Sequence, residues 1–101
     1  MIRVAQHLLP LADIPDGEGR AVRVDAAEIA VFRCGDAVRA VGNRCPHAGG
    51  PLADGILAGD IVACPLHGRR VDLRSGEVDD CDAAVPVYDV EVVDGVVVLW
   101  R

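Results

Sequence analysis

The chain has 101 residues, of which 51% are hydrophobic and 26% charged, the balance of one folded globular domain rather than of a disordered chain. Its formal net charge is −6, with 16 acidic residues against ten arginines and no lysine, which argues against nucleic-acid binding. No apolar stretch exceeds six residues and no export signal precedes the first strand, so we expect no membrane association and a cytoplasmic location. We therefore expect a single domain over residues 1–101.

Short runs of Val and Ile alternate with Gly, Asp or Pro every eight to twelve residues, a rhythm typical of a β-sandwich or barrel. In chain order, strands are predicted over residues 2–8, 20–24, 28–33, 37–41, 60–64, 70–73, 85–92 and 96–100. Turns are predicted at Gly35-Asp36, at residues 74–77 and at Asp94-Gly95, the last being suited to a type I′ hairpin turn. Since no long segment shows helical periodicity, we expect an all-β fold.

Between the fourth and sixth predicted strands the pattern changes, because the chain becomes rich in Gly and Pro and holds two of its three histidines. A long loop inside a compact β domain is usually functional. The sequence predicts two such loops, at about residues 43–52 and 63–70, on either side of a short hairpin. We name them the first and the second ligand loop.

Each ligand loop carries one cysteine and one histidine: Cys45 and His47 in the first, Cys64 and His67 in the second. The spacing is C-x-H, sixteen residues, then C-x-x-H. Four such side chains could hold one Zn²⁺ ion, or a [2Fe–2S] cluster with both thiolates on one iron and both imidazoles on the other. Glycines after both histidines favour the cluster, since they let backbone N–H groups approach bridging sulfides.

The segments CPHAGG and CPLHG at this separation resemble the Rieske [2Fe–2S] motif, C-x-H-x₁₅₋₁₇-C-x-x-H. The resemblance covers nearly the whole chain, and residues 51–77 are similar to Rieske-type ferredoxins and to the small subunit of assimilatory NAD(P)H nitrite reductase. It implies a Rieske-type antiparallel β-sandwich with a small loop-built subdomain that binds one [2Fe–2S] cluster. Cys45 and Cys64 would then hold the buried iron, His47 and His67 would hold the iron nearer solvent, and no residue would be catalytic.

The same resemblance implies one-electron transfer between redox partner proteins, in one of two settings. The segments ADIPDGEGRAVRV and VVDGVVVLW are similar to the nitrite reductase small subunit, which slightly favours work with a large reductase subunit. The alternative is a free ferredoxin that passes electrons from a flavin reductase to a ring-hydroxylating-type oxygenase. A structural zinc-binding or metal-free interaction module remains as a hypothesis from another class.

The remaining cysteines, Cys34 and Cys81, have no histidine at ligand spacing, so we expect free thiols, with a mutual disulfide as the alternative. His7 is expected to be a surface or packing residue. Three arginines flank the ligand loops, namely Arg44, Arg69 and Arg70. They are either merely solvated, or they form a basic rim that steers the site towards an acidic patch on a partner.

Respiratory Rieske proteins join their two loops by a disulfide and donate a serine hydroxyl to the cluster. At the matching positions this chain has Gly50 and Leu66 for the disulfide and Arg69 for the serine. The resemblance therefore implies a centre of the low-potential soluble class.

Overall fold

A computed structural model describes residues 2–46 and 49–101, and most of them lie in β-strands. The strands are β1 (Ala5–Pro10), β2 (Gly19–Val24), β3 (Ala27–Cys34), β4 (Ala37–Gly42), β5 (Ile56–Ala58), β6 (Ile61–Ala63), β7 (Arg70–Asp72), β8 (Val87–Tyr88), β9 (Val90–Val93) and β10 (Val96–Trp100). Within those ranges the helical elements are two single turns of 3₁₀ helix, Leu11–Asp13 and Leu52–Asp54. No described helix is long and apolar enough to cross a membrane.

The strands form three antiparallel sheets, which confirms the predicted fold class. Sheet 1 has the order β1-β10-β9, sheet 2 the order β2-β3-β4-β8 and sheet 3 the order β5-β6-β7. The predicted turn between β9 and β10 is confirmed as type I′, since φ is 51° at Asp94 and 78° at Gly95. Gly35, with φ of 61°, lies in the predicted turn between β3 and β4.

Sheet 2 is the middle layer of the molecule and is covered on both faces. Four consecutive residues of β3, numbers 29–32, are each at most 1% exposed. Since side chains alternate along a strand, Ile29 and Val31 face one side while Ala30 and Phe32 face the other. The first pair packs with sheet 1, including Val97 and Leu99, in one core cluster. The second pair packs in another cluster with sheet 3 and the ligand loops, including Leu52, Val62, Val71, Cys45 and Cys64.

Three strand predictions need correction. Strand β1 begins at Ala5 rather than at residue 2, because its pairing with β10 defines it, and Ile2 is 90% exposed. The predicted strand over residues 85–92 is two strands, since the chain passes from sheet 2 to sheet 1 at Asp89. Strand β5 is missing from the predicted strands, although a short hairpin was predicted between the two ligand loops, and its pairing with β6 forms that hairpin.

Candidate metal centre

The first ligand loop is closed by its own backbone. The N–H of Cys45 donates to the carbonyl of Gly50 at 2.9 Å, and the N–H of Gly49 donates to the carbonyl of Cys45 at 2.7 Å. Gly49 has a φ of 72°, in the left-handed region that glycine adopts without a steric penalty. A tight turn therefore starts directly at Cys45.

The second ligand loop repeats this hydrogen-bond pattern position for position. The N–H of Cys64 donates to the carbonyl of Arg69 at 2.8 Å, and the N–H of Gly68 donates to the carbonyl of Cys64 at 2.9 Å. Gly68 has a φ of 73°, almost the value found in the first loop. The two cysteines thus begin two equivalent turns. In the sequence, the histidine follows the cysteine by two residues in the first loop and by three in the second.

Both cysteine side chains are buried at the contact between the loops. Cys45 is 1% exposed and Cys64 is 3% exposed, and both belong to one apolar cluster. A Cβ atom built on Gly50 would lie 2.9 Å from the Sγ of Cys64 and 2.9 Å from the Cγ of Leu66. The end of the first loop therefore faces the cysteine of the second loop across a space that any side chain at position 50 would fill.

Of the two candidate histidines, the structure describes His67. His67 is exposed and borders a surface depression that is also lined by Gly68, Arg69, Asp79 and Asp80. His47 lies outside the described residues. Within residues 2–46 and 49–101, no three Cys, His, Asp or Glu side chains come together at a single metal-ion position. Two buried thiols beside an exposed imidazole suit a two-iron cluster, which spreads its ligands over two metal atoms.

Asn43 anchors the first ligand loop from inside the protein. It is 4% exposed, and its backbone carbonyl accepts from the N–H of Leu52 at 2.7 Å. Its Oδ1 accepts from the N–H of Ala53 at 2.8 Å, while its Nδ2 donates to the carboxylate of Glu28 at 2.6 Å. Both ends of the loop are thereby joined to each other and to β3. The sequence analysis missed this residue, for which its place two residues before Cys45 was the only available indication.

Arg69 anchors the second ligand loop to a neighbouring surface segment. Its Nη1 donates to the carbonyls of Asp79 and Asp80, both at 2.9 Å. The next residue, Arg70, forms an ion pair with the carboxylate of Asp79 at 2.7 Å. The three arginines Arg44, Arg69 and Arg70 were interpreted either as merely solvated or as a basic rim, and their contacts distinguish them. Arg69 and Arg70 are engaged within the chain, whereas the guanidinium of Arg44 has no hydrogen-bond or ion-pair partner in the described part.

A second ion pair closes the turn that follows the second ligand loop and β7. The backbone N–H of Arg74 donates to the carboxylate of Asp72 at 2.8 Å, and the guanidinium of Arg74 lies 3.4 Å from it. These contacts, the backbone hydrogen bond foremost, lower the pKa of Asp72. The same carboxylate raises the pKa of Arg74.

The other residues considered in the sequence analysis lie apart from these loops or serve packing. Cys34 and Cys81 are free thiols, as predicted. The Sγ of Cys34 contacts the carbonyl of Gly59 at 3.2 Å, and Cys81 is half-buried against the cluster that holds the two loop cysteines. His7 is exposed on β1, which confirms it as a surface residue.

Comparison with known proteins identifies the family. A family model described as a Rieske-like [2Fe–2S] domain matches residues 6–100. Ferredoxin CarAc of Metapseudomonas resinovorans is 38% identical over 87 residues, which cover 83% of this chain and 81% of that protein. In the solved complex of reduced oxygenase and oxidized ferredoxin in carbazole 1,9a-dioxygenase, the matching chain is 33% identical with a TM-score of 0.83, covering 95% of this chain and 92% of that one.

A putative NADH-dependent nitrite reductase small subunit from Mycobacterium tuberculosis has a similar structure, with a TM-score of 0.87 and 28% identity over 100% of this chain and 97% of that one. These matches agree with the fold and with the donor set of the ligand loops, and they make a Rieske [2Fe–2S] cluster the cofactor. The hypothesis of a zinc-binding or metal-free module is therefore wrong. The chain belongs to the Rieske-like [2Fe–2S] domain family and is a Rieske-type electron carrier.

Proposed function

We propose that Cys45, His47, Cys64 and His67 hold the cluster. The equivalent turns that begin at Cys45 and Cys64, and the burial of both thiols, support the sulfur ligands. The exposure of His67 supports an imidazole ligand at the surface. His47 is included on its spacing from Cys45, which matches the family motif.

When bound, the cluster accepts and releases one electron at a time. The chain supplies the surroundings in which this happens. The hydrophobic residues packed around Cys45 and Cys64 exclude water from the two thiols. The backbone turns orient these thiols before the iron–sulfur cluster binds. Because electron tunnelling weakens steeply with distance, electron transfer is fastest when the partner docks close to the ligand loops.

The partner system we favour is an oxygenase, with this chain as the ferredoxin between a reductase and the terminal oxygenase. The observation that carries this proposal is the 38% identity with ferredoxin CarAc over 87 residues. The related chain found in complex with an oxygenase gives further support, at 33% identity over 95% of this chain. The order of preference is thus the reverse of the one suggested by the sequence segments alone.

A nitrite reductase small subunit is the second candidate. It is favoured by the similarity to the Mycobacterium tuberculosis structure, which extends over 100% of this chain, but at the lower identity of 28%. The same electron-transfer chemistry would then serve a large reductase subunit instead of a separate oxygenase.

Deletion of the gene in its native organism separates the two systems. If the chain is an oxygenase ferredoxin, the deletion abolishes oxidation of an aromatic growth substrate and leaves growth on nitrite as sole nitrogen source unchanged. A return of oxidation when the wild-type gene is restored, but not when a Cys64→Ala gene is restored, ties the effect to the cluster. Loss of growth on nitrite, with aromatic oxidation intact, would contradict the proposal in favour of the second candidate.

A further inference from the structure

The arginines of this chain fall into two groups according to their partners. In the part of the chain that the structure describes, eight guanidinium groups donate a hydrogen bond or form an ion pair, those of Arg3, Arg20, Arg33, Arg39, Arg69, Arg70, Arg74 and Arg101. Arg23 and Arg44 are exposed, and neither guanidinium has such a partner in those ranges. These two arginines are thus unpaired in the described structure, although the net charge of the chain is −6.

The two unpaired arginines border the same groove. It has a volume of about 400 Å³ and lies at one end of sheet 2, where the turn between β2 and β3 meets the exit of β4. Its lining also includes Glu28, Asn43, Pro86 and Tyr88. Arg44 directly precedes Cys45, so one wall of the groove is the start of the first ligand loop.

Glu28 is the carboxylate that could have neutralised this groove. It lies opposite Arg23 in the pairing of β2 with β3. Its Oε1, however, accepts the hydrogen bond from Asn43 at 2.6 Å, and Arg23 and Glu28 form no ion pair in the described structure. Two guanidinium groups therefore face one carboxylate, which leaves the groove with an excess of one positive charge.

We propose that this groove is a docking site for an acidic segment of the redox partner, with carboxylates of the partner bound by Arg23 and Arg44. The proposal rests on the electron-transfer function proposed above. Guanidinium groups match carboxylates in geometry and bind them through paired hydrogen bonds. Since the rest of the chain is acidic, an acidic segment is repelled elsewhere and attracted here, which fixes the orientation of the complex. The partner is thereby held beside the first ligand loop.

The unpaired state of these arginines is what distinguishes this groove from the other side of the site. Beside the second ligand loop, Arg69 and Arg70 are equally cationic, but backbone carbonyls and Asp79 already occupy them. An incoming carboxylate there would have to displace contacts that exist within the chain. At Arg23 and Arg44 it displaces only water.

The test measures binding of a fluorescein-labelled hexaglutamate peptide to the cluster-containing protein by fluorescence anisotropy at low salt near pH 7. We expect saturable binding that weakens about three- to fivefold in Arg23→Ala and in Arg44→Ala, the upper part of the range for one exposed ion pair. Arg20→Ala and Arg70→Ala remove the same charge from arginines that have partners within the chain, and they should change the dissociation constant less than about twofold. Glu28→Gln keeps the acceptor for Asn43 and should tighten binding.

Three results would overturn the proposal. The first is failure of hexaglutamate to saturate the wild-type protein. The second is an equal loss of peptide affinity in all four Arg→Ala variants, which is the behaviour of diffuse charge attraction. The third is binding of inorganic phosphate that depends on Arg23 and Arg44, without such binding of the peptide, which would make the groove a small-anion site.

A second measurement separates failure of the docking site from failure of the proposed function. The reduced protein is mixed with the oxygenase component of its native organism in a stopped-flow instrument, at low and at high salt. Docking at the groove predicts slower oxidation of Arg44→Ala than of Arg70→Ala at low salt, and convergence of the two rates at high salt. Equal rates at low salt contradict the docking site. No oxidation of even the wild-type protein, with hexaglutamate binding intact, contradicts the oxygenase assignment and leaves the groove in place.

Discussion

The first ligand loop is anchored in the protein interior, whereas the second is anchored at the surface. Asn43, which begins the first loop, is 4% exposed and bonds to Glu28 of β3 and to Leu52 and Ala53 at the far end of the loop. Arg69, which holds the second, donates to two carbonyls of an exposed segment at residues 79–80. Two backbone turns of the same design thus depend on supports of different strength, because water can replace an exposed hydrogen bond but not a buried one.

The equivalence of the loops predicts equal effects for their cysteines. Cys45→Ala and Cys64→Ala should each abolish the cluster, since no other thiol occupies a ligand-loop turn. The wild-type protein should contain two irons and two acid-labile sulfides per chain. Iron and sulfide analysis and visible absorption measure the loss. Cys34→Ala and Cys81→Ala are the matched controls and should keep the cluster, while one zinc and no sulfide in the wild type would refute the proposed ligand set.

The next largest effect on cluster content is expected when a side chain is added in the space between the loops. Gly50→Ala puts a Cβ 2.9 Å from the Sγ of Cys64, closer than real Cβ contacts allow, so the loops must separate. We expect most of the cluster to be lost from the purified protein. Gly68→Ala is the control, since its φ of 73° imposes about 1–2 kcal/mol of strain but its Cβ meets no atom within 4 Å. A variant Gly50→Ala with full cluster content and a depleted Gly68→Ala would show that turn conformation, not space, governs the site.

The sequence predicted strands well where local pattern and pairing agree. The type I′ turn at Asp94-Gly95 is an example, because both residues favour the left-handed region and apolar runs flank them. Prediction failed where pairing alone makes the strand. Strand β5 contains Ile56, which is 78% exposed, and only its ladder with β6 makes that segment a strand. The change of sheet at Asp89 could likewise not be predicted, because the two-residue alternation of apolar and polar side chains does not show which sheet a strand joins.

For the site, sequence spacing was sufficient to nominate the ligands but not their supports. Each nominated cysteine follows from a short motif, whereas Asn43 depends on partners as distant as Glu28 and Ala53. The contacts of the arginines beside the ligands could not be predicted for the same reason. Whether an arginine is available to a partner depends on carboxylates and carbonyls elsewhere in the chain, and Asp79 becomes the partner of Arg70 only when the fold brings them together.

The buried anchor is tested by Asn43→Ala. The substitution leaves the N–H of Ala53 without its acceptor in a buried place, which costs about 1–3 kcal/mol. The free energy of unfolding, measured by urea denaturation of the cluster-containing protein, should fall by that amount. Glu28→Gln is the control, because an amide at position 28 still accepts from Asn43, and it should cost less. An Asn43→Ala variant as stable as the wild type would remove the contrast between the loops.

The surface anchor is tested by Arg69→Ala, with a smaller expected effect. The freed carbonyls of Asp79 and Asp80 are exposed and bond to water instead, so stability should fall by about 1 kcal/mol or less. The rate of cluster loss to an iron chelator should rise a few-fold, and Arg69→Lys, which keeps donors at this position, should restore part of the protection. Arg70→Ala removes only an exposed ion pair and should leave the rate nearly unchanged. A loss of stability as large as that of Asn43→Ala would show that exposure does not weaken the anchor.

The smallest effect belongs to the ion pair that closes the turn beyond the second loop. The pKa of Asp72 is lowered, mainly by the backbone N–H of Arg74 and then by its guanidinium, so the folded state favours the charged carboxylate. The stabilisation is therefore complete above the ordinary value of 3.8 and is lost as pH falls through the lowered pKa. Because the pair is exposed, the effect is modest even at neutral pH. Asp72→Asn should be slightly less stable than the wild type at pH 7 in urea denaturation, and the difference should vanish in acid, where a protonated Asp72 resembles asparagine. Running both proteins in parallel cancels the acid sensitivity of the cluster itself. A stability difference between the two proteins that grows in acid would show that the pKa of Asp72 is raised rather than lowered.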